Sequence, residues 1–482
     1  MLSPGKATLI DQLLLIAVAA VALALAPVVS HADPLQYNIL DLGTLGGSYS
    51  FGLGINNNGD VVGFSSTDGD VVEHAFRYSI INQMTDLEDP ESGTYSYAFG
   101  INDLGIVVGT REFTPTGGYH AFLYSDNEFL DLGVSAGFND LGVPGDLETS
   151  SAFGINNNFG PTGTESIGDI VGYASMADGS NPRPFLHSGT SMALIGDGDL
   201  NGYAYAYSDV NGGMVAGQFW DNDNDADDGL LDTDGDAIGM TNPLGQQATG
   251  YDVNSNGVVV GAVSTTGGSE GFIFDGTSIV STGTLQGSCS TLWDVNASGQ
   301  AVGYSYIAQD QGFRATTYAE NPTGTGVALQ DLNSLINQDD GDSAKWQLWD
   351  ARAINDSGWI TGWGYYHDMI WDEYSQQYWP GDEYQHAYLA IPTDQLESLF
   401  FGPPQMSLFS FGSEMSSDFG DSPNYGAVGA FMSGGASPNI SYDSYDESGG
   451  GTGGTPELPP GSLGLVSMVP MGLIWLRRLR RK

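Results

Sequence analysis

Seven aspartates alternate with other residues in one acidic stretch, and their spacing suits the chemistry of a hard cation. They are Asp221, Asp223, Asp225, Asp227, Asp232, Asp234 and Asp236. Calcium takes about six to eight oxygen ligands from a flexible loop, and Gly229 permits a sharp turn within this one. The stretch is not an EF-hand, because Ala226 and Asp232 stand where that loop has Gly and Glu. The spacing predicts a calcium site, and the alternative is an acidic loop that repels itself without metal.

The other residues capable of chemistry point to structural roles. His74, His120 and His386 recur at one position of a repeated motif, where a satisfied structural contact is the expected role. No histidine pairs with another histidine or a cysteine at the spacing of a zinc site. Cys289 is the only cysteine, so it forms no disulfide within the chain, and we expect a small buried or turn residue. Carboxylates are plentiful, but none stands out by its position, and the sequence singles out no catalytic residue.

The charge of the chain excludes nucleic acid as a partner. Of its 482 residues, 59 are acidic and 12 are basic, which gives a formal net charge of −47. Such a surface repels nucleic acids and anionic lipid headgroups, and it attracts cations. A high net charge also keeps a protein soluble, which is the simplest explanation of the imbalance.

Both ends of the chain have the composition of targeting signals. Residues 1–32 combine Lys6, an apolar run and small residues before Asp33, as a secretory signal peptide does. Residues 457–482 hold an apolar segment of 14 residues, and five of the last six residues are basic. A stable span needs about 20 residues, so we expect this short segment to anchor the chain in the membrane only transiently.

The C-terminal tail, with Pro456, Glu457 and Leu458 before its apolar segment, resembles the PEP-CTERM sorting signal of Gram-negative bacteria. Leu458 stands where that signal has its second proline. This difference affects the prediction of cleavage more than the prediction of membrane targeting. The resemblance implies processing by an exosortase-type enzyme and delivery to the cell surface or extracellular matrix. Residues 392–456, rich in Gly, Ser and Asp, are then a stalk or linker before the signal.

A short motif recurs through the middle of the chain. The stretch "GINNNGDVVG" at 54–63 returns six more times, each time with an asparagine after Ile or Val. These asparagines are Asn56, Asn102, Asn156, Asn211, Asn254, Asn296 and Asn355. A glycine follows within a few residues in most copies, and Asn followed by Gly is turn chemistry that joins two strands. The alternative is that seven such turns form a ring of amide groups that binds sugars.

Two further landmarks complete the repeat and predict the fold, although the fourth copy lacks the aromatic strand and has the Asp-rich stretch in its place. An aromatic strand such as "EHAFRY" at 73–78 follows the asparagine, and a strand ending in "DLG" or a relative follows that. Repeats of about four strands and about 40 to 50 residues, arranged radially, make a β-propeller. We therefore expect an all-β chain in which residues 33–391 form seven blades of four strands. A "DLG" strand precedes the first asparagine and none follows the last copy, so the N-terminal strand is expected to complete the last blade.

The repeated "GIN", "HAF" and "DLGTLGG" motifs closely resemble the HAF family of extracellular bacterial repeats, over roughly three quarters of the chain. The resemblance implies secretion and repetition, and no established reaction comes with it. The Asp-rich stretch at 221–236 similarly resembles the calcium loops of integrin-type propellers and thrombospondin-type repeats.

The combined signals predict a secreted, surface-sorted and non-enzymatic protein that binds a partner or builds the extracellular matrix. Its partner is expected to be an exopolysaccharide or another surface protein, with calcium bridging acidic groups. The alternative is a secreted propeller enzyme, a hydrolase or lyase acting on polysaccharide. A carboxylate pair in a deep central pocket would favour the enzyme, whereas glycan binding without turnover would favour the binding protein.

Overall fold

The chain is all-β, as predicted. The computed structural model describes residues 35–90, 92–113, 118–132, 149–157, 168–175, 181–188, 191–196, 200–208, 213–221, 228–232, 236, 248–320, 327–372 and 377–396. The predicted signal peptide (1–32), the predicted sorting signal (457–482) and all but the first residues of the predicted stalk lie outside these ranges.

The described strands fall into seven successive antiparallel groups, which we call modules 1 to 7. Module 1 is β2 (Gly46–Ile55), β3 (Val61–Thr67), β4 (Glu73–Ser79) and β5 (Gln83–Asp86), and module 2 is β6 (Ser96–Ile101), β7 (Val107–Phe113), β8 (Gly118–Ser125) and β9 (Glu128–Asp131). Module 3 is β10 (Thr149–Ile155), β11 (Ile170–Ser175), β12 (Arg183–Ser188) and β13 (Ser191–Leu194), and module 4 has the described strands β14 (Leu200–Ser208), β15 (Met214–Asp221) and β16 (Asp228–Leu231).

Modules 5 to 7 follow the same plan. Module 5 is β17 (Ala248–Val253), β18 (Val259–Thr265), β19 (Gly268–Phe274) and β20 (Ile279–Gly283), and module 6 is β21 (Gln286–Val295), β22 (Ala301–Ile307), β23 (Phe313–Glu320) and β24 (Val327–Asp331). Module 7 is β25 (Trp346–Ile354), β26 (Ile360–Asp372) and β27 (Gln377–Pro392), joined by β1 (Tyr37–Asp41). Short 3-10 helices lie at Asp68–Asp70, Ala308–Asp310, Leu332–Leu335 and Ser343–Lys345.

The first strands of the modules make a closed circuit of contacts. Each first strand contacts the first strand of the next module, and β25 of module 7 contacts β2 of module 1. The N-terminal strand β1 pairs antiparallel with β27, from Tyr37 opposite Pro392 to Asp41 opposite Tyr388. The predicted pairing of the N-terminal strand with the last repeat is therefore present. It covers the edge of β27 that would otherwise be exposed.

Each of the three residues of the "HAF" landmark has a structural role. In module 1, Ala75 is fully buried in the core between modules 1 and 2, and Phe76 is fully buried in the core between modules 7 and 1. His74 bonds through Nδ1 to Asp86 of the "DLE" strand at 2.9 Å. The backbone N–H of Ala75 donates to the hydroxyl of Ser96, on the first strand of module 2, at 2.9 Å. The landmark therefore packs a module internally and ties it to the next.

The serine tie recurs between other modules and across the closure. Ala121 donates to Ser150, Gly271 donates to Ser290, and Ala387 of module 7 donates to Ser50 of module 1, all at 2.8 to 2.9 Å. Each serine stands six residues before a repeated asparagine. Because the donors are buried N–H groups, loss of any one acceptor leaves an unsatisfied polar group between modules.

Module 4 corrects two expectations. The strand register places Ser208, opposite Met214, where the other modules have the asparagine, and Asn211 lies outside the described residues. The third strand of this module is also present although the sequence lacks the aromatic motif. It is β16, in the middle of the Asp-rich stretch, and its Leu230 and Leu231 are buried in the core.

Candidate functional site

The repeated asparagines are turn residues that also join neighbouring modules. The Oδ1 of Asn56 accepts the N–H groups of Asn58 and Asp60, at 3.1 and 2.9 Å. Its Nδ2 donates to the carbonyl of Asn102, the equivalent residue of module 2, at 3.0 Å. Asn254, Asn296 and Asn355 repeat this arrangement, and Asn355 donates to the carbonyl of Asn56. The predicted turn role is confirmed for the six described asparagines, and the amides of Asn56, Asn254, Asn296 and Asn355 bond to protein rather than forming an open ring for sugars.

The turns surround the mouth of a cavity of about 880 Å³, to which all seven modules contribute residues of their first strands. Because the first strands lie side by side in the same direction around it, equivalent residues form layers. The residues after the asparagines line the mouth, and here Asn57 bonds to Asp103 and Asp356 from the two neighbouring modules. Asn157 also donates to Asp103, at 2.9 Å. The mouth is therefore lined with amides and carboxylates.

A β-bulge sits at the same place in every first strand and turns one side chain out of the ladder. The skipped residues, which we call the bulge residues, are Leu53, Phe99, Phe153, Tyr205, Tyr251, Trp293 and Arg352. All seven line the cavity. Bulges commonly redirect side chains next to functional sites. Here they project a layer of large side chains into the cavity, below the polar mouth.

Five consecutive bulge residues form an unbroken aromatic row. The ring centroids are 5.3 Å apart for Phe99 and Phe153, 5.2 Å for Phe153 and Tyr205, 5.3 Å for Tyr205 and Tyr251, and 4.5 Å for Tyr251 and Trp293. Such tilted and edge-to-face contacts hold each ring in a fixed orientation. The row spans modules 2 to 6 and gives the cavity a rigid apolar surface.

The layer next to the bulge residues carries a carboxyl pair. It is Gly54, Gly100 and Gly154 in modules 1 to 3, Ala206 in module 4, Asp252 and Asp294 in modules 5 and 6, and Ala353 in module 7. Glycine is required at Gly154, because a Cβ there would lie 2.5 Å from the carbonyl oxygen of Tyr205 in the next module. Modules 5 and 6 instead place two acids side by side on the wall of the cavity.

The two carboxyl groups interact with each other, and each accepts a backbone N–H of the following module. Asp252 accepts the N–H of Val295 at 3.0 Å, and Asp294 accepts the N–H of Ile354 at 2.6 Å. Burial raises the pKa of Asp252, and burial together with repulsion from Asp252 raises the pKa of Asp294 well above its ordinary range. The pair therefore retains a shared proton to a higher pH than two isolated aspartates would.

A charged cluster adjoins the carboxyl pair. The guanidinium of Arg352 lies 4.0 Å from the ring centre of Trp293, and its Nη1 lies 3.4 Å from the Asp350 carboxylate. Trp293 donates its Nε1–H to the same carboxylate at 2.9 Å. Burial raises the pKa of Asp350, and the charge of Arg352 opposes that shift. These contacts fix the Trp293 ring, whose position in the cavity is thereby defined.

The three repeated histidines and Cys289, for which structural roles are predicted, do not line the cavity. His120 and His386 bond through Nδ1 to Asp131 and Asp41 at 2.9 Å, as His74 does to Asp86, so the structural role predicted for the three histidines is confirmed. Cys289 is half-buried and lies on β21, not in a turn.

Most of the predicted calcium site lies outside the described residues. Asp223, Asp225, Asp227 and Asp234 lie outside them, and Asp221 ends β15. The Oδ1 of Asp232 accepts the N–H of Asp236 at 2.9 Å, as the Oδ1 of Asn56 accepts the N–H of Asp60. No cluster of three or more His, Cys, Asp or Glu residues placed to hold a metal occurs among the residues described. The calcium site remains a prediction.

Comparisons with known proteins do not show a family. No family model matches the chain, and no curated protein matches it. Among solved structures, that of TolB from Acinetobacter baumannii is similar at 12% sequence identity with a TM-score of 0.28, and the match covers 68% of this chain and 73% of that one. In the parts of the chain that the structure describes, no helix has the length and apolar character needed to cross a membrane.

Proposed function

We propose that the seven modules are the blades of a β-propeller and that the protein is an extracellular carbohydrate-binding protein, not an enzyme. The closed circuit of first strands and the β1–β27 pairing support the propeller. The N-terminal and C-terminal signals support secretion and sorting by an exosortase-type enzyme to the cell surface or matrix. The resemblance to HAF repeats supports the same location.

The aromatic row is the observation that carries the binding function. Sugar rings present apolar C–H faces that pack on aromatic rings, and their hydroxyl groups bond to carboxylates and amides. The cavity offers both, with five aromatic rings from Phe99 to Trp293 below a mouth lined by Asn57, Asp103 and Asp356. An apolar pocket with a few convergent polar groups is the usual form of a small-ligand site. We infer that an exopolysaccharide end or branch is the ligand.

Removing a ring from the row tests this function. Trp293→Ala and Tyr251→Ala should each weaken binding of a polysaccharide fragment about tenfold, which is about 1.4 kcal/mol. Tyr384→Ala is the matched control, because Tyr384 is 38% exposed on β27 and lies outside the cavity. Isothermal titration of the full chain against a panel of neutral oligosaccharides gives the affinities. Equal affinity of all variants for a ligand bound by the native protein would disprove the site.

A hydrolase or lyase acting on polysaccharide is the second candidate, and the carboxyl pair favours it. Asp252 and Asp294 have raised pKa values in a deep cavity, as a proton donor and its partner do. Against catalysis, each carboxyl group already accepts a backbone N–H that joins two modules. Chromatography of polysaccharide incubated with the native protein separates the two candidates. Shortened products that disappear with Asp294→Asn would establish the enzyme.

A further inference from the structure

We propose that the saccharide held in this cavity carries a positively charged amino group, which lies against the Asp252–Asp294 pair and the rings of Tyr251 and Trp293. The proposal rests on the carbohydrate-binding function and specifies its ligand class. It separates amino sugars from the neutral sugars that the aromatic row alone would accept.

The charges that line the cavity favour a cation. Asp103, Asp252, Asp294 and Asp356 line it, and Arg352 is the one basic residue that does so among the described residues. The charge of Arg352 is balanced by the neighbouring Asp350 carboxylate, which is not itself part of the lining. The cavity therefore has an excess of negative charge, and a recessed site with low-dielectric walls concentrates the potential that this produces.

A cation would give the carboxyl pair a positively charged partner, which its neighbours do not supply. Neither Asp252 nor Asp294 forms an ion pair among the described residues, and backbone N–H groups are the hydrogen-bond donors to both. The rings of Tyr251 and Trp293, 4.5 Å apart, belong to the residues directly before the two acids. Aromatic faces attract cations, and amino groups are commonly recognised by rings combined with carboxylates. A neutral hydroxyl group gains neither interaction.

Proton linkage gives the proposal a distinct signature. A cation beside the pair favours its fully ionised form, so binding should release the shared proton and become tighter as pH rises. The other titratable groups nearby are Tyr205, Tyr251 and Tyr304, whose pKa values burial raises, and the Asp350–Arg352 pair. The tyrosines stay neutral through the acidic and neutral range. The contribution of Asp350 to the pH dependence is separated from that of the pair by the Asp350→Asn variant.

Two matched probes test the proposal on the full chain. One is the tetramer of N-acetylglucosamine, which is neutral, and the other is the same tetramer deacetylated and permethylated at nitrogen, whose positive charge does not depend on pH. Affinities are measured by titration calorimetry between about pH 5 and about pH 8, in buffers of different ionisation enthalpy, so that protons released are counted directly.

We expect the cationic tetramer to bind about tenfold tighter than the neutral one at the upper pH, with affinity approaching a tenfold rise per pH unit where the pair titrates. Asp252→Asn and Asp294→Asn should each remove the pH dependence, because an amide oxygen still accepts the backbone N–H but has no charge. Asp350→Asn should preserve it. If an asparagine variant does not fold, the proton release of the native protein still decides.

Equal, pH-independent affinity for the two tetramers would overturn the inference and leave the carbohydrate-binding function standing. Cation binding that persists unchanged in Asp252→Asn and Asp294→Asn would also overturn it, because the pair would not be the recognition element. Failure of the protein to bind either these tetramers or any oligosaccharide of the neutral panel would refute the carbohydrate-binding function itself, and the inference with it.

Discussion

Replacing Asn355 by alanine should weaken the closure between the last and the first module, beyond disturbing one turn. The Oδ1 of Asn355 accepts the N–H groups of Ser357 and Trp359, at 3.0 and 2.9 Å. Its Nδ2 donates to the carbonyl of Asn56 in module 1, at 3.1 Å. The side chain is 4% exposed, and the alanine variant brings no polar atom to replace either function.

The magnitude follows from the three partners that lose a bond. A buried polar group left without a partner costs about 1 to 3 kcal/mol. The N–H of Ser357 lies in an exposed turn and can bond to water. The N–H of Trp359 and the carbonyl of Asn56 are instead enclosed by the turn and the neighbouring module. We therefore expect a loss of about 4 kcal/mol in the free energy of unfolding, which is a large part of the usual stability of a domain.

Urea unfolding followed by tryptophan fluorescence measures this loss, with two comparison variants. Asn355→Asp keeps the two acceptor bonds and loses only the donor to Asn56, so it should cost about half as much. Asn254→Ala removes the same three bonds between modules 5 and 6, because Asn254 accepts from Asn256 and Val258 and donates to Asn296. It should match the loss at Asn355.

A loss below about 1 kcal/mol for Asn355→Ala would refute the reasoning, since the bonds would then be replaced by water at no cost. A loss confined to Asn254→Ala would have a more specific meaning. It would show that the modules are tied together along the chain but that the contact between modules 7 and 1 does not contribute to stability in solution.

Three further predictions test other parts of the molecule. Burial lowers the pKa of His74, but Asp86 more than offsets this, so the pKa is raised in the folded state. The stability lost in His74→Gln should therefore be greatest below about pH 6.5 and should decrease as pH rises through the folded-state pKa. Urea unfolding midpoints at about pH 5.5 and about pH 8.5 measure the difference. Gly154→Ala should cost about 1 to 3 kcal/mol in the same assay because its Cβ meets a backbone carbonyl at 2.5 Å, whereas Gly341→Ala, which has open space, should cost almost nothing. Calcium should raise the melting temperature, and Asp223→Asn combined with Asp225→Asn should abolish the rise; an identical melt with and without chelator would rule out the site.

The repeat was sufficient to predict the strand order, because its landmarks do separate physical jobs. The asparagine makes the turn after the first strand, the aromatic residue fills the core, and the aspartate of the "DLG" strand bonds to the histidine of the strand before it. The serine that ties neighbouring modules recurs at a fixed spacing before the asparagine and could have been found the same way. The sequence predicts the wrong turn residue for module 4, because "DVN" at 209–211 resembles the other copies whereas the strand register places Ser208 at that position.

The candidate site could not be predicted so readily, because its aromatic residues vary in identity from copy to copy. Their common property is the position of the bulge, three residues before the asparagine or, in module 4, before Ser208. A bulge is a feature of backbone pairing that no residue type indicates. Asp252 and Asp294 do not stand out among the many acidic residues of the sequence for a related reason. Only a comparison of the copies, residue by residue, shows that they replace the glycine of the early modules.

The exchange of glycine for aspartate at the position of Gly154 connects the packing of the modules to the chemistry of the cavity. In module 3, the bare Cα of Gly154 lets the strand of module 4 approach so closely that no side chain fits between them. In modules 5 and 6 the strands accommodate a carboxyl group at this point, and its bond to the N–H of the next module restores the connection between strands. A carboxylate placed there is held rigidly from two sides and still reaches the cavity. The same substitution thus keeps the circuit of strands intact and concentrates negative charge on one side of the cavity, beside Tyr251 and Trp293, where a cationic ligand would be bound.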